Sequence, residues 1–272
     1  MKIYSIMLCK DEADIIGPVL EDATRWSDKI FVFDNGSQDG TWDIVNRLAE
    51  KYPGKIIPFI QDGRPFRIGL RALVFNEVKH EMTQDDWWCI RMDADEFYID
   101  NPKDFLSQVP KKYKQVSKAS FDYVLCREDL KEFQFEGNFE ADKDKIRYYK
   151  PQTWAETRFV RHSERLSWDI DQKKPQPCGM TFPGQIRVKH YQFRSPQQME
   201  QRYKVRQESR KNGCGSFHHE NGTSWQDYLQ KREGLFFDAQ DGKLPTQGNR
   251  NKVRRMHQEL VKGMLTLFNY YG

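Results

Sequence analysis

The chain has 272 residues, of which 44 are basic and 40 acidic, for a net charge of +4. That length can bury a sizeable core and suits one large α/β domain with an appended lobe. The near-cancelling charge argues against a nucleic-acid binder, whose basic residues dominate and cluster. Five scattered cysteines, odd in number and without a CxxC pair, argue against a disulfide framework or structural zinc site. They fit a reduced, cytoplasmic setting.

Residues 2–9, KIYSIMLC, read as a buried first strand. Lys10, Asp11 and Glu12 cut this apolar run off, leaving it too short for a signal sequence or a spanning helix, and no later window approaches the roughly twenty apolar residues a span needs. Residues 14–26 carry Ile15, Ile16, Val19, Leu20, Ala23 and Trp26 at helical spacing. The unit then repeats: Ile30 to Phe33 form a strand, Asp34 to Gly40 a turn-rich loop, and Thr41 caps a helix from Trp42 to Lys51. KIIPFI is a third strand, QDGRPFRIG a loop, Leu70 to Met82 a helix, and WWCIRM a fourth strand.

Beyond about residue 115 the pattern loosens. KQVSKASFDYVLC, TRFVRH and IRVKHYQF read as strands, expected to run antiparallel. Ser195 and Pro196 open a helix that ends at Gly213. A further helix is expected near Trp225 to Glu233, and a last one from Asn251 to about Phe268. These breaks divide the chain into residues 1–115, residues 116–212 as a second half of the same domain, and 213–272 as a helical extension.

Strands alternating with helices predict a mostly parallel sheet flanked by helices. Ligands of such sheets bind outside the carboxyl ends of the strands, which gathers residues 10–12, 34–39, 62–67 and 93–96 on one edge. Asp93 and Asp95, two positions apart in extended geometry, project the same way, so a hard divalent cation can lie between them and a diphosphate. Charge developing on a departing phosphate calls for such an ion or for basic side chains, and Arg67, Arg71, Arg194 and Arg202 are the candidates. Taken alone, the triplet fits the capping of a following turn equally well.

MLCKDEADIIGPVLED, IFVFDNGSQDGTWDIV and IRMDADEFY occur in the order and spacing of family 2 glycosyltransferases of the GT-A fold, which residues 1–115 resemble. The DNGSQDGT loop is the most specific of the three. VKHYQFRSPQQMEQR is similar to a segment that follows the acceptor lobe in a subset of these enzymes. The resemblance implies a nucleotide-binding sheet with an acceptor-side lobe, a nucleoside diphosphate sugar donor, a glycan or lipid-linked acceptor, and Mn2+ or Mg2+. Carried over by residue, it implies that Asp34 and Asn35 contact base or ribose, and that Lys10 and Glu12 line the same pocket. Asp93 would face ribose and metal, Asp95 the metal, Glu96 the metal site or a sugar hydroxyl, and His190 would complete the metal shell. For His190 packing is the alternative, and for Arg194 and Arg202 a solvated face or salt bridges.

An inverting transfer also needs a carboxylate base. Glu156 and Asp169 are the candidates because each adjoins a tryptophan, although the acid pair often used as the base signature in this family is not found. Two other readings stay open. A nucleotidyltransferase would carry a glycine-rich phosphate loop after its first strand, where CKDEAD has no glycine; a non-catalytic nucleotide- or sugar-binding module would bind without turnover. The last helix, with Lys252, Arg254, Arg255 and Lys262 around an apolar stripe, is expected to pack on its own domain or a dimer partner, the alternative being a peripheral contact with the inner face of a membrane.

Overall fold

The computed structural model describes all residues except 153–154, 212–221, 245–251, 269 and 272. In chain order the elements are β1 (Ile3–Cys9), α1 (Ile16–Ala23), β2 (Lys29–Asp34), α2 (Thr41–Lys51), β3 (Ile56–Gln61) and α3 (Arg71–Val78). Next come β4 (Trp87–Met92), β5 (Glu96–Tyr98), α4 (Pro102–Ser107), β6 (Tyr113–Tyr123), α5 (Asp129–Glu132) and α6 (Phe139–Asp142). The rest are β7 (Tyr148–Pro151), β8 (Glu156–Arg161), β9 (Met180–His190), α7 (Pro196–Lys211), β10 (Phe236–Phe237) and α8 (Lys252–Leu267).

All the strands join one sheet, whose main path runs β10-β7-β6-β8-β4-β1-β2-β3, with β9 bridging β5 and β6. β4, β1, β2 and β3 are mutually parallel, as the β-then-α rhythm predicts. Every residue of β1 is buried, because both faces of this half are covered. Ile3, Met7 and Cys9 pack under α1 and α2, and the alternate residues Tyr4, Ile6 and Leu8 pack under α3 with Trp88 and Phe75. Pro58, which has no amide to give to a ladder, sits on the edge strand β3.

The second half is mixed. β8 pairs antiparallel with β4 and β6, as expected, but β9 runs parallel to β6. The chain from β6 to β9 has to pass through β7 and β8 first, and it returns in the direction of β6. The stretch expected to be a helical extension also contributes β10, paired antiparallel to β7 at the sheet's edge. Only a 3-10 turn, Trp225–Tyr228, forms where a helix was expected near residues 225–233. Ser195 caps α7 as read, its hydroxyl accepting from the Gln198 amide at 3.1 Å.

α8 rests on β9 through Gly263 and Glu259, the latter accepting from both the amide and the hydroxyl of Thr181. Its outward residues Leu260, Met264, Leu267 and Phe268 are exposed. The side chains of Lys252, Arg254 and Arg255 lie outside the described residues, and Lys262 is paired with Glu259 at 2.8 Å. No helix among the described residues is long and apolar enough to cross a membrane.

Candidate active site

The carboxyl ends of β1, β2 and β4 open into a cavity of about 1390 Å³, closed on the far side by β6, β7 and α7. Two tight loops shape the near wall. Gly36 has φ +77°, and a Cβ there would stand 2.8 Å from the Gly63 Cα, so both conformation and space require glycine. Gly40 has φ +92° and turns the chain into α2, which therefore starts at Thr41, one residue earlier than read. Asp39 rather than Thr41 supplies the cap, accepting from the Thr41 amide at 3.0 Å, while its other oxygen accepts from Ala13 and ties the first loop to the second.

Asp34 is fully buried beneath its own loop, accepting from the amides of Gly36 and Ser37 at 2.9 and 2.7 Å. It does not line the cavity. Asn35 does, and its amide group also donates to the carbonyls of Asp62 and Arg64, fastening the β3 loop. Lys10 and Glu12 line the same wall. Arg194 is buried, donating to Glu12 at 2.5 Å and to Asp14 at 2.5 and 2.6 Å, so it staples the β1 loop to the start of α7 and stands behind the cavity wall. Burial raises Glu12 to about 7 against the pull of Arg194. Arg202, one and a half turns along α7, does line the cavity, and its Nε lacks a partner among the described residues.

The centre is a row of registered side chains. His190 at the end of β9 lies opposite Glu96 of β5 on one side and Asp122 of β6 on the other. Its Nδ1 is 2.8 Å from Asp122, and its Nε2 is 3.4 Å from the Asp95 carboxylate. Burial works against a charged imidazole, but Asp95 and Asp122 outweigh it and raise His190 to about 10. Burial likewise opposes ionisation of Asp95, and His190 overcomes it, holding that carboxyl below its usual range.

Asp93 faces another way. Arg158 Nη2 donates to it at 2.8 Å, Arg91 Nε at 3.2 Å and Arg71 Nη2 at 3.3 Å. Burial opposes its charge, yet Arg91, Arg158 and Arg71 hold it well below the ordinary carboxylate range. Arg158, fully buried, also donates to Glu96 at 2.6 Å and stands 3.4 Å from Glu156. Lys118 and Arg91 complete this network by bonding Glu96 and Glu156 respectively.

The residues test differently as metal ligands. Among the described residues no group of three or more His, Cys, Asp or Glu side chains is arranged around one point. Asp93 also lines the cavity, with its oxygens bonded to three guanidiniums that a metal ion would have to displace. Asp95 and His190 do fit: their 3.4 Å separation is close to the edge of a coordination octahedron around a hard divalent ion, roughly 3 Å. Asp122 orients the imidazole from behind, as the outer partner of a metal-bound histidine does. Two protein ligands are enough where phosphate oxygens and water supply the rest.

Arg67 is an exposed side chain paired with Asp171 at 3.1 Å, and Asp169 lies on the same outer loop, accepting from the Asp171 amide at 2.8 Å. Neither lines the cavity. Glu156 does, but Trp154 beside it lies outside the described residues. Burial would raise Glu156; Arg158, Arg91 and Lys118 more than cancel that and keep it ionised. Reading the sequence missed Asp122, Arg91 and Lys118, and it offered Arg158 only as an ion-pair partner for Glu156 or Asp169, beside the first of which it stands. The available signal was a charged residue inside an otherwise buried strand, as in SFDYV or TRFVR.

In metal-free protein the raised proton affinity of His190 stabilises the fold fully below its ordinary pKa near 6.5, and this contribution is lost as pH rises through about 10. The difference in melting temperature between the wild type and His190→Gln in chelator is therefore expected to be largest at pH 6 and to shrink toward pH 10. A difference that grows with pH would show that the imidazole is neutral in the fold.

The sequence profile described as Glycosyl transferase family 2 matches residues 5–158, a span that holds Asp34, Asp93 and Asp95 but not His190 or Arg202. Among solved structures, the chain is similar to the mannosyltransferase PcManGT from Pyrobaculum calidifontis in complex with GDP-Man and Mn2+. That similarity has 21% identity over 43% of this chain and 35% of that one, with a TM-score of 0.32. It is also similar to TarS from S. aureus, with 14% identity over 47% of this chain and 22% of that one, and a TM-score of 0.31. The matched regions thus span about a third or less of either structure's length. No curated protein matches the chain.

Proposed function

We propose a function from the premise that the chain belongs to glycosyl transferase family 2: it moves a sugar from a nucleoside diphosphate sugar to an acceptor hydroxyl, with inversion, in the synthesis of cell-envelope glycans. The observation that carries this reading is the Asp95–His190–Asp122 row at the sheet edge, opening into a cavity large enough for a nucleotide sugar.

Lys10, Glu12 and Asn35 line the wall on which the base and ribose are placed. Arg71 and Arg202 face the same space; Glu12 and Asp95 act on the Arg202 charge, and its Nε, without a partner among the described residues, is a donor for diphosphate. Asp95 and His190 would hold Mn2+ or Mg2+, which when bound neutralises charge on the departing diphosphate. Glu156, kept ionised and facing the cavity, is the proposed base for the acceptor hydroxyl. Asp93 and Glu96 act through Arg158, fixing the floor on which the acceptor end of the cavity rests.

The outward apolar stripe of α8 supports a contact with a second copy or with the inner face of a membrane; sedimentation velocity and co-sedimentation with anionic vesicles read the two separately. For the reaction itself, hydrolysis of a nucleotide sugar by the full chain with Mn2+ and no acceptor is the expected result. Nucleotide binding by a folded chain with no turnover of any donor would instead mark a binding module.

A further inference from the structure

The cavity continues past its charged centre along β7. Lys150 and Gln152 line it, Lys150 is registered opposite Asp122, and the Gln152 amide donates to both Asp122 oxygens at 2.8 Å. Side chains alternate along a strand, so Tyr148 stands on this same face, two residues or roughly 7 Å farther out. That step is about the size of one hexopyranose. β10 lies outside β7 with Phe237 opposite Tyr148, and the two ring centroids are 5.2 Å apart.

Each ring is held on one face. The Arg147 guanidinium lies over Phe237 and that of Arg232 over Tyr148, each 4.9 Å from the centroid. Neither guanidinium is free to swing away: Arg147 donates to the Asp238 carbonyl at 2.7 and 2.6 Å, and Arg232 to Asp129 and Glu132. Phe237 is nonetheless 54% exposed, outside the cavity lining and beyond Lys150 and Gln152 on the β7 side.

A rigid aromatic surface with a polar, hydrogen-bonding fringe complements a sugar ring, which has a C–H face for stacking and hydroxyls around its rim. A lipid tail would need a dry groove, and this ledge has charged residues on every side. We propose that Tyr148 and Phe237 form a subsite for the acceptor glycan, seating a sugar ring more than one unit beyond the hydroxyl that is glycosylated, because Glu156 is registered opposite Lys118 and Lys150 opposite Asp122 farther along β6. The proposal rests on the glycosyl-transfer reading and adds to it the acceptor's chemistry: a saccharide of more than two units.

Phe236 supplies the control. It is equally exposed and on the same strand, but it stacks on Tyr149 on the opposite face, 5.7 Å between centroids. Saturation-transfer NMR of the full chain with cellotriose, chitotriose, maltotriose and mannotriose is expected to show binding of at least one. Phe237→Ala should weaken that binding roughly fivefold or more, the worth of one aromatic contact, Phe237→Trp should retain it, and Phe236→Ala should leave it unchanged. If no trisaccharide binds the wild type, or if Phe237→Ala binds like the wild type, the subsite is overturned. If wild-type binding depends on Phe237 while no nucleotide sugar is hydrolysed, the subsite stands and the transferase reading fails.

Discussion

Asp95→Asn is expected to lower nucleotide-sugar turnover about a thousand-fold while leaving the far-UV circular dichroism unchanged. The substitution keeps the side chain's shape and removes the one carboxylate that faces His190 across 3.4 Å. An amide is a poor ligand for a hard cation, and the developing phosphate charge then loses its stabiliser; removing one such electrostatic contributor commonly costs about 100- to 1,000-fold. Asp93→Asn is expected to behave differently, since its partners are Arg71, Arg91 and Arg158 and its loss unbalances the buried network. Full turnover by Asp95→Asn with saturating Mn2+ would remove Asp95 from the site's chemistry.

Arg158→Met is expected to destabilise the fold by about 3–5 kcal/mol, because removing one member of a buried ion network strands its partners without compensation. Arg158 has no exposed surface and holds Asp93, Glu96 and Glu156 together. For a chain of this size the loss corresponds to roughly 10 °C in melting temperature. Lys118 and Arg91 remain as partial partners, which keeps the effect short of full unfolding. Arg158→Lys should recover part of the loss, because it restores a single charged nitrogen in place of Nη2, which alone meets Asp93 and Glu96, but on a side chain one atom shorter. A change in melting temperature of under about 2 °C for Arg158→Met would mean that the network is not a stabilising unit.

The parallel half of the fold was legible because its physics is local. β1 and β4 are buried on both faces and so read as unbroken apolar runs, and Gly36 and Gly40 mark turns that need left-handed backbone. The place of Asp95 at the cavity was legible for the same reason: it stands just past the carboxyl end of a buried strand, where ligands of such sheets bind. Asp34 shows the limit of that logic. Its position in the loop is as distinctive as that of Asp95, but whether its oxygens point outward or fold back onto the amides of Gly36 and Ser37 depends on loop geometry that spacing does not encode.

Partners distant in sequence were not legible either. Arg158 meets Asp93 across 65 positions and His190 meets Asp122 across 68, and an isolated charged residue in a strand does not announce which strand will lie beside it. The parallel pairing of β9 with β6 creates the second contact, and burial periodicity is the same for either strand direction. Asp169 drew attention by its neighbouring tryptophan, but Trp168 packs into the core against Phe75 while Asp169 stays on the outer loop.

The most direct test of the site as a whole is release of nucleoside diphosphate from a panel of nucleotide sugars. It needs no acceptor, and it is run with Mn2+ on the wild type beside Asp95→Asn. The expected result is release from at least one donor by the wild type and about a thousand-fold less by the variant. Equal release by the two proteins, or none from any donor by a folded wild type with either Mn2+ or Mg2+, would contradict the assignment of this cavity as a glycosyl-transfer site.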